Sequence, residues 1–254
     1  MTRTAYISGG LAGMGLEVAR AMRAAGHRVA VGGRRGGNVE AQQAAHEALG
    51  EDAFAHELDV CDETSVARFC QNAATAIGDA DILVNCAGIE VYQTVSEHDI
   101  KAWQRVIDTN LTGSFLMMRE VLPGMKARGW GRIVTIASTA AHTAMPDQAA
   151  YCASKAGLLG LSRAVALEGA PHGVTSMTVS PTWVETDMLR ESASMMAREN
   201  GTSLAQEIEA LARSNPQNRL VQPQEVAALI AFLCSSDAPA LTMEDIQINA
   251  GALW

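Results

Sequence analysis

Short apolar runs and helical patterns take turns along the whole chain, and few folds accommodate that rhythm. "TAYIS" at 4–8 reads as a strand, followed by the glycine turn "GGLAGMG". In "LEVARAMRAAG", Leu16, Val18, Ala19, Met22 and Ala25 recur at helical spacing before Gly26 closes the segment. "HRVAVGG", "FAHELDV", "ADILVNCAG", "GRIVTIAS", "VTSMTVSP" and "DIQINAG" are further strands, each separated from the next by a helical stretch. One helix is long, from about Ile100 to Arg128, with a kink expected near Pro123. Strands alternating with helices of ten or more residues need crossover connections, so they pair in parallel and are covered on both faces. The predicted fold class is α/β: one doubly wound, Rossmann-type parallel sheet of about seven strands, flanked by helices. No linker, charge block or internal repeat divides the 254 residues, which are read as a single domain, 1–254.

Composition removes several function classes. The net charge is −9 with no basic stripe, so neither nucleic acid nor an anionic membrane is an expected partner. No apolar run approaches the roughly 20 residues needed to span a bilayer. The opening "MTRTAYISGG" is too short and polar for a signal peptide, so a cytoplasmic location is expected. Cys61, Cys70, Cys86, Cys152 and Cys234 are odd in number and lack metal-site spacing, so neither a disulfide framework nor a metal site is expected. Cys152, beside Tyr151, reads as a small buried thiol rather than a nucleophile.

Chemistry gathers where the strands end. Gly9, Gly13 and Gly15 lie between the first strand and its helix, where backbone N–H groups and a helix N-terminus would receive a dinucleotide pyrophosphate. Many strand–helix turns contain glycine, so the weight rests on the position after the first strand. The second strand ends "VAVGGRR": Gly33 removes the carboxylate that would repel a 2′-phosphate, and Arg34 and Arg35 follow. A guanidinium there suits that phosphate, favouring NADP(H) with Arg34 as the better contact and leaving NAD(H) possible. Two solvated loop arginines are the plain alternative. Asp59 ends the third strand, where an adenine would lie, and Asn85, Ala87 and Gly88 end the fourth. Each alone could be turn chemistry, but four successive strand ends fit one ligand.

Ser138 ends "GRIVTIAS", 13 residues before Tyr151, and Lys155 follows Tyr151 by four. Positions i and i+4 share a helix face. A phenol ionising near ~10 is a poor acid–base group at neutral pH, and a neighbouring ammonium is expected to lower it. Ser138 would orient a substrate oxygen while Tyr151 gives a proton to a carbonyl or takes one from an alcohol. A bare Y-x-x-x-K is common by chance; its place after the glycine turn and the serine gives it meaning.

Through "SGGLAGMG", "LDV", "NCAG", "DTNLTG", "GRIVTIAS", "YCASK" and "SPTWVET" the chain resembles the short-chain dehydrogenase/reductase family over nearly its whole length. The resemblance implies NAD(P)-dependent carbonyl/alcohol chemistry and a homotetramer or homodimer. It implies that Asn110 joins Ser138, Tyr151 and Lys155 as a catalytic tetrad by holding a water toward Lys155, which would also bind the nicotinamide ribose. It extends the cofactor contacts to Ser8, Leu11, Ala12, Met14, Val60, Pro181, Val184 and Thr186, the last on the carboxamide. Departures are Ser8 for the usual threonine, Ala12 where NADP-preferring members often carry a basic residue, Cys86 for a second asparagine, and Thr182 for glycine. The ending "NAGALW" also replaces Asp-Gly-Gly.

"TNLTG", "GWGRIV" and "RLVQPQEVA" resemble 3-oxoacyl, acetoacetyl-CoA and polyketide ketoreductases, and "MMARENGTSLAQEIEALARSNPQNRLVQPQE", with Trp183 before it, resembles the substrate lid of 3-hydroxybutyrate dehydrogenases, which implies a lid at about 186–213. Candidate pocket residues are Glu90, Gln93, His142, Trp183 and Met188. His142 reads equally well as an ordinary loop histidine, and Glu90 would disfavour a free carboxylate. The expected activity is reduction of a small-molecule β-keto substrate by NADPH. The alternatives are an NAD-dependent secondary alcohol or 3-hydroxy acid dehydrogenase and, more remotely, a silent nucleotide-binding scaffold.

Overall fold

Residues buried on both faces of a strand imply layers of helix on both sides, and four central strands are buried at every position. The computed structural model describes residues 2–252, so the last two residues of "NAGALW" lie outside it. Seven strands form one sheet: β1 (Thr4–Ser8), β2 (Arg28–Gly33), β3 (Phe54–Glu57), β4 (Ile82–Asn85), β5 (Gly131–Ile136), β6 (Val174–Pro181) and β7 (Asp245–Ile248). Their order is β3-β2-β1-β4-β5-β6-β7, and every neighbouring pair is parallel. The strand period sends Ile7, Val31 and Val84 into one core and Tyr6, Ala30 and Leu83 into the other.

The first core is closed by α1 (Gly13–Ala24), α2 (Val39–Leu49) and α9 (Pro223–Leu233), through Val18, Met22, Leu49, Val226 and Ile230. The second is closed by α3 (Glu63–Ile77), α5 (Gly113–Arg128) and α6 (Ala149–Gly169), through Phe69, Met117, Leu122 and Val165. The long predicted helix is interrupted upstream of Pro123. α4 (Ile100–Ile107) passes through a π turn (Asp108–Thr112) into α5, and Pro123 sits inside α5. The extra residue of a π turn shifts the helix register, and Asn110, at its centre, is buried. Two further helices, α7 (Asp187–Asn200) and α8 (Leu204–Ser214), occupy the stretch read as a lid. α8 begins with a reciprocal cap between Ser203 and Gln206 and has no buried residue.

Strand order reverses between β1 and β4, so their following loops diverge and leave a crevice at the carboxyl edge of the sheet. Those loops are "GGLAGMG" and "NCAG". Among the described residues the five cysteines are free, no His, Cys, Asp and Glu group has metal-site geometry, and no helix is long and apolar enough to cross a membrane.

Candidate active site

The glycines of the first loop are spaced by collision. A β-carbon on Gly15 would stand 2.3 Å from the Gly9 carbonyl oxygen, and one on Gly9 would meet the Ala87 amide nitrogen at 2.8 Å, at a φ of +70°. Gly13, at φ +52°, has nothing within 4 Å of its would-be β-carbon. The loop is thus clamped at Gly9 and Gly15 and open at Gly13. Ser8 is buried and its Oγ accepts from Ala87 N at 3.4 Å, joining the β1 and β4 loops. Ala12, at the N-cap of α1, provides no side-chain cap, so first-turn N–H groups face the crevice.

Leu11 lies across the end of β2, where a β-carbon on Gly33 would come within 3.1 Å of its Cδ1. A side chain at position 33 would need Leu11 to give way by a few tenths of an ångström. Arg34 and Arg35 are exposed, and neither makes a side-chain hydrogen bond or ion pair among the described residues. Asp59 Oδ1 accepts from Cys61 N at 3.0 Å, which shapes the turn after β3, and Val60 packs where Gly113 lacks a side chain. These strand ends fit a dinucleotide: open glycine backbone and a free helix terminus for a pyrophosphate, unengaged guanidinium groups for a ribose phosphate.

Tyr151 and Lys155 share one face of α6, with the Lys155 Nζ 5.5 Å from the centre of the Tyr151 ring. Lys155 is buried and donates to the carbonyl of Ile136, the last residue of β5, at 2.7 Å. Ser138, two residues on, accepts from Ala140 N at 3.1 Å, and its hydroxyl favours the Tyr151 phenolate by hydrogen bonding. Asn110 is consumed by the chain itself. Its Oδ1 accepts from Ile89 N at 2.8 Å, and its Nδ2 donates to Ile89 O and Ser154 Oγ, both at 2.9 Å. Gly88 lies between this amide and the lysine: its β-carbon would be 3.4 Å from Asn110 Oδ1 and 3.7 Å from Lys155 Nζ.

The electrostatics reverse one expectation. Tyr151 is pushed above the ordinary phenol range, first by desolvation and then by the charge of Glu90, with Ser138 opposing. Lys155 is itself lowered by burial to about 8, against the pull of Cys86 and Glu90. The ammonium discharges before the phenol ionises, so it does not lower the phenol at equilibrium. Tyr151 is thereby held as a neutral proton donor.

The family model for short chain dehydrogenase matches residues 3–197. The chain belongs to the short-chain dehydrogenase family. It is an oxidoreductase, with the sheet order and strand-end crevice described above. This short-chain dehydrogenase is 33% identical to D-beta-hydroxybutyrate dehydrogenase of Rhizobium meliloti (strain 1021), over 99% of its own length and 98% of the relative's. It is 34% identical to an acetoacetyl-CoA reductase of Cupriavidus necator, covering 98% and 97% of the two chains. The crystal structure of a single-substitution variant of actinorhodin polyketide ketoreductase with NADPH superposes with a TM-score of 0.93 at 33% identity, covering 99% of this chain and 97% of that one.

Several other predicted site residues of this short-chain dehydrogenase also carry structural contacts. Val184 packs into the first core and pairs with Val221. The Thr186 hydroxyl is the N-cap of α7, accepting from Leu189 N and donating to Val184 O, both at 3.3 Å. The Asn85 side chain turns toward β5, its Nδ2 donating to Thr135 Oγ1 at 3.1 Å while its Oδ1 is buried without a partner. Ala87 and Gly88 stay half-buried at the crevice, Met14 packs against the first core, and Pro181 is buried where β6 ends. Gln93 is spent on structure, because its Oε1 accepts from Asp99 N at 3.1 Å at the start of α4. His142 is held by the Asp245 carboxylate on β7, to which its Nε2 donates at 2.7 Å; Thr178 and Ser180 donate to the other oxygen of that carboxylate. The sequence carried no sign of that cross-sheet pairing. Trp183 is half-buried, and Met188 on α7 is exposed. Glu90 alone of the pocket candidates acts on both Tyr151 and Lys155. Three partners of Glu90 carry no mark in the sequence: Tyr92, Gln148 and Ser192.

Proposed function

We propose that this chain reduces the ketone of a small β-keto substrate with NADPH, using Tyr151 as the proton donor. The observation that carries it is the placement of a neutral, partly buried phenol, a serine hydroxyl and a buried ammonium at the end of β5, across the β4 loop from the open glycine loop of β1. The chemistry a nicotinamide supplies when bound is hydride transfer at the carbonyl carbon. Everything else falls to the chain. Gly9, Gly13 and Gly15 with Ser8, Leu11, Ala12 and Met14 would hold the pyrophosphate. Arg34 and Arg35 would hold the ribose phosphate, and Asp59 and Val60 the adenine side. Ser138 orients the carbonyl oxygen and Tyr151 delivers its proton there. Below about pH 8 Lys155 is charged, and its field stabilises the phenolate as it forms, a charge absent before reaction. Asn110 fixes Ile89, and so the floor of the pocket beside Lys155.

NADPH is favoured over NADH by the unengaged guanidinium groups and by Gly33, which places no carboxylate at the end of β2. The crystallised ketoreductase with NADPH supports the same choice, and the acetoacetyl-CoA reductase supports a β-keto acyl class. The hydroxybutyrate dehydrogenase relative favours instead the 3-hydroxy acid dehydrogenase reading, against which Glu90 stands as a carboxylate near the pocket. A single domain, a cytoplasmic location and a homotetramer or homodimer belong to the same proposal. Exposed Phe115 on α5 and Leu167 on α6 support association. The helix pair α7–α8 is proposed as the lid.

The test is NADPH oxidation with a panel of β-keto esters and acyl thioesters. Tyr151→Phe should lose about 10²- to 10⁴-fold in kcat while still binding NADPH. Undiminished turnover would remove Tyr151 as the acid.

A further inference from the structure

Glu90 stands where three parts of the chain meet. It lies in the loop after β4, half-buried, and its carboxylate is reached from two helices. Ser192, on α7, is 2% exposed and donates to one oxygen. Gln148, at the start of α6 and three residues before Tyr151, points its Nε2 at the other, 3.5 Å away. The loop itself is pinned on both sides of Glu90. Asn110 holds Ile89, Gln93 N donates to Asp147 O at 2.8 Å, and Gln93 pairs with Gln148. Glu90 therefore belongs to the fixed frame, and α7 is the piece that can leave it.

Little else that is polar holds α7 in place. Among the described residues its other hydrogen-bonding side chains turn to Glu185, to the Arg190 carbonyl within the helix, or to Glu207 on α8, a helix with no buried residue. Ser192 also has a second acceptor, the Met188 carbonyl one turn back, at 3.0 Å. A hydroxyl has one proton to give. Were α7 to lift, that proton would pass to Met188 O and the serine would stay satisfied, so the contact can open without stranding a buried donor. Glu90 would be left to water.

The charge of Glu90 raises Tyr151 and Lys155 alike, favouring the protonated phenol and the ammonium. Glu90 is itself acted on by Glu191 and Ser192 from α7, by Lys155 from α6 and by Tyr92 from its own loop. Tyr92, Cys152 and Ser138 also act on Tyr151, and Cys86 acts on Lys155. A carboxylate covered by a helix exerts its field through protein, whereas an uncovered one is screened by water. We propose that Glu90 is a positioning residue, a latch for α7 whose negative charge bears on Tyr151 and Lys155 most strongly while that helix covers it. The inference rests on the reductase and lid readings proposed above, and it makes lid closure set the pH range of the reaction.

Two substitutions take the latch and the charge apart. Glu90→Gln keeps an acceptor for Ser192 and removes the charge; Ser192→Ala keeps the charge and removes the latch. Reduction needs a proton on Tyr151 and a charged Lys155, so turnover falls at the pH where the first of these is lost. With NADPH and a saturating β-keto ester, Glu90→Gln should move that alkaline limb of kcat to lower pH by about half a unit or more, while α7 exchanges hydrogen as in the natural chain. Ser192→Ala should speed α7 exchange about tenfold and move the limb the same way by less. The double variant should move it no further than Glu90→Gln alone. A limb unmoved by either substitution, or shifts that add in the double variant, overturns the latch and leaves the reductase reading standing. If no β-keto ester or acyl thioester of the panel is reduced, the reductase reading fails, and the titration of Lys155, one of three lysines in the chain, followed by carbon NMR of labelled lysine, decides the latch. A lower titration in Glu90→Gln with a smaller drop in Ser192→Ala keeps it; an unchanged titration in either variant overturns it. Should Glu90→Gln fail to fold, Ser192→Ala carries the same readouts.

Discussion

Lys155→Met should make the protein more stable at neutral pH while stopping its turnover. Lys155 is 5% exposed, and its hydrogen bond to Ile136 O, at 2.7 Å, ties it to the end of β5. Burial lowers it from the ordinary 10.5 to about 8. Keeping the ammonium charged in the fold at pH 7 therefore costs roughly 3 kcal/mol. Methionine keeps the apolar stem without the charge, but it leaves the Ile136 carbonyl unpaired, a loss of about 1–2 kcal/mol. The variant should be more stable by about 1–2 kcal/mol at pH 7. Between about pH 8 and 10.5 the unfolded chain holds a lysine proton that the folded chain has released, so the natural protein gains stability as pH rises. Methionine has nothing to titrate, and its advantage should shrink across that window and reverse above it. Urea unfolding followed by tryptophan fluorescence at pH 7, 8.5 and 10, with NADPH oxidation measured alongside, reads both effects. A variant less stable than the natural chain at pH 7, or a difference that ignores pH, would refute the reasoning.

Arg34→Asp should shift kcat/KM from NADPH toward NADH by at least about tenfold, since a charge-assisted contact becomes a repulsion; an unaltered ratio removes Arg34 from the cofactor site. Gly15→Ala drives a β-carbon to within 2.3 Å of the Gly9 carbonyl, and should cost about 1–3 kcal/mol in thermal unfolding along with weaker NADPH binding. Amides of α7 and α8 should gain protection from hydrogen exchange when NADP⁺ and a keto ester are both present, as closing elements do; unchanged exchange makes them fixed surface.

Strand and helix order was legible because the periods of two and 3.6 are written locally. "VTSMTVSP" matches β6 from end to end, and the glycine turn fell where the crevice forms. The face shared by Tyr151 and Lys155 followed from spacing alone. The π turn was not legible, because Pro123 offered a louder local signal and nothing in "DTNLT" marks one residue too many. The partner of His142 could not be read locally, since Asp245 lies 103 positions away. The motif "PTWVET" points to Val184 and Thr186 without showing that their side chains also serve core packing and a helix cap. The sign of the Tyr151 displacement was missed for a similar reason: spacing shows a cation nearby, but not that dehydration has weakened it.

The winding at Asp108–Thr112 sets how much length this region tolerates. One surplus residue rotates α4 by about 100° relative to α5, so each helix can turn its apolar side inward independently. A deletion of a single residue there would let the coil run through uninterrupted. Either the Val106 side or the Met117 side would then face water, and Asn110 would swing off Ile89. In this stretch the number of residues matters as much as their kind.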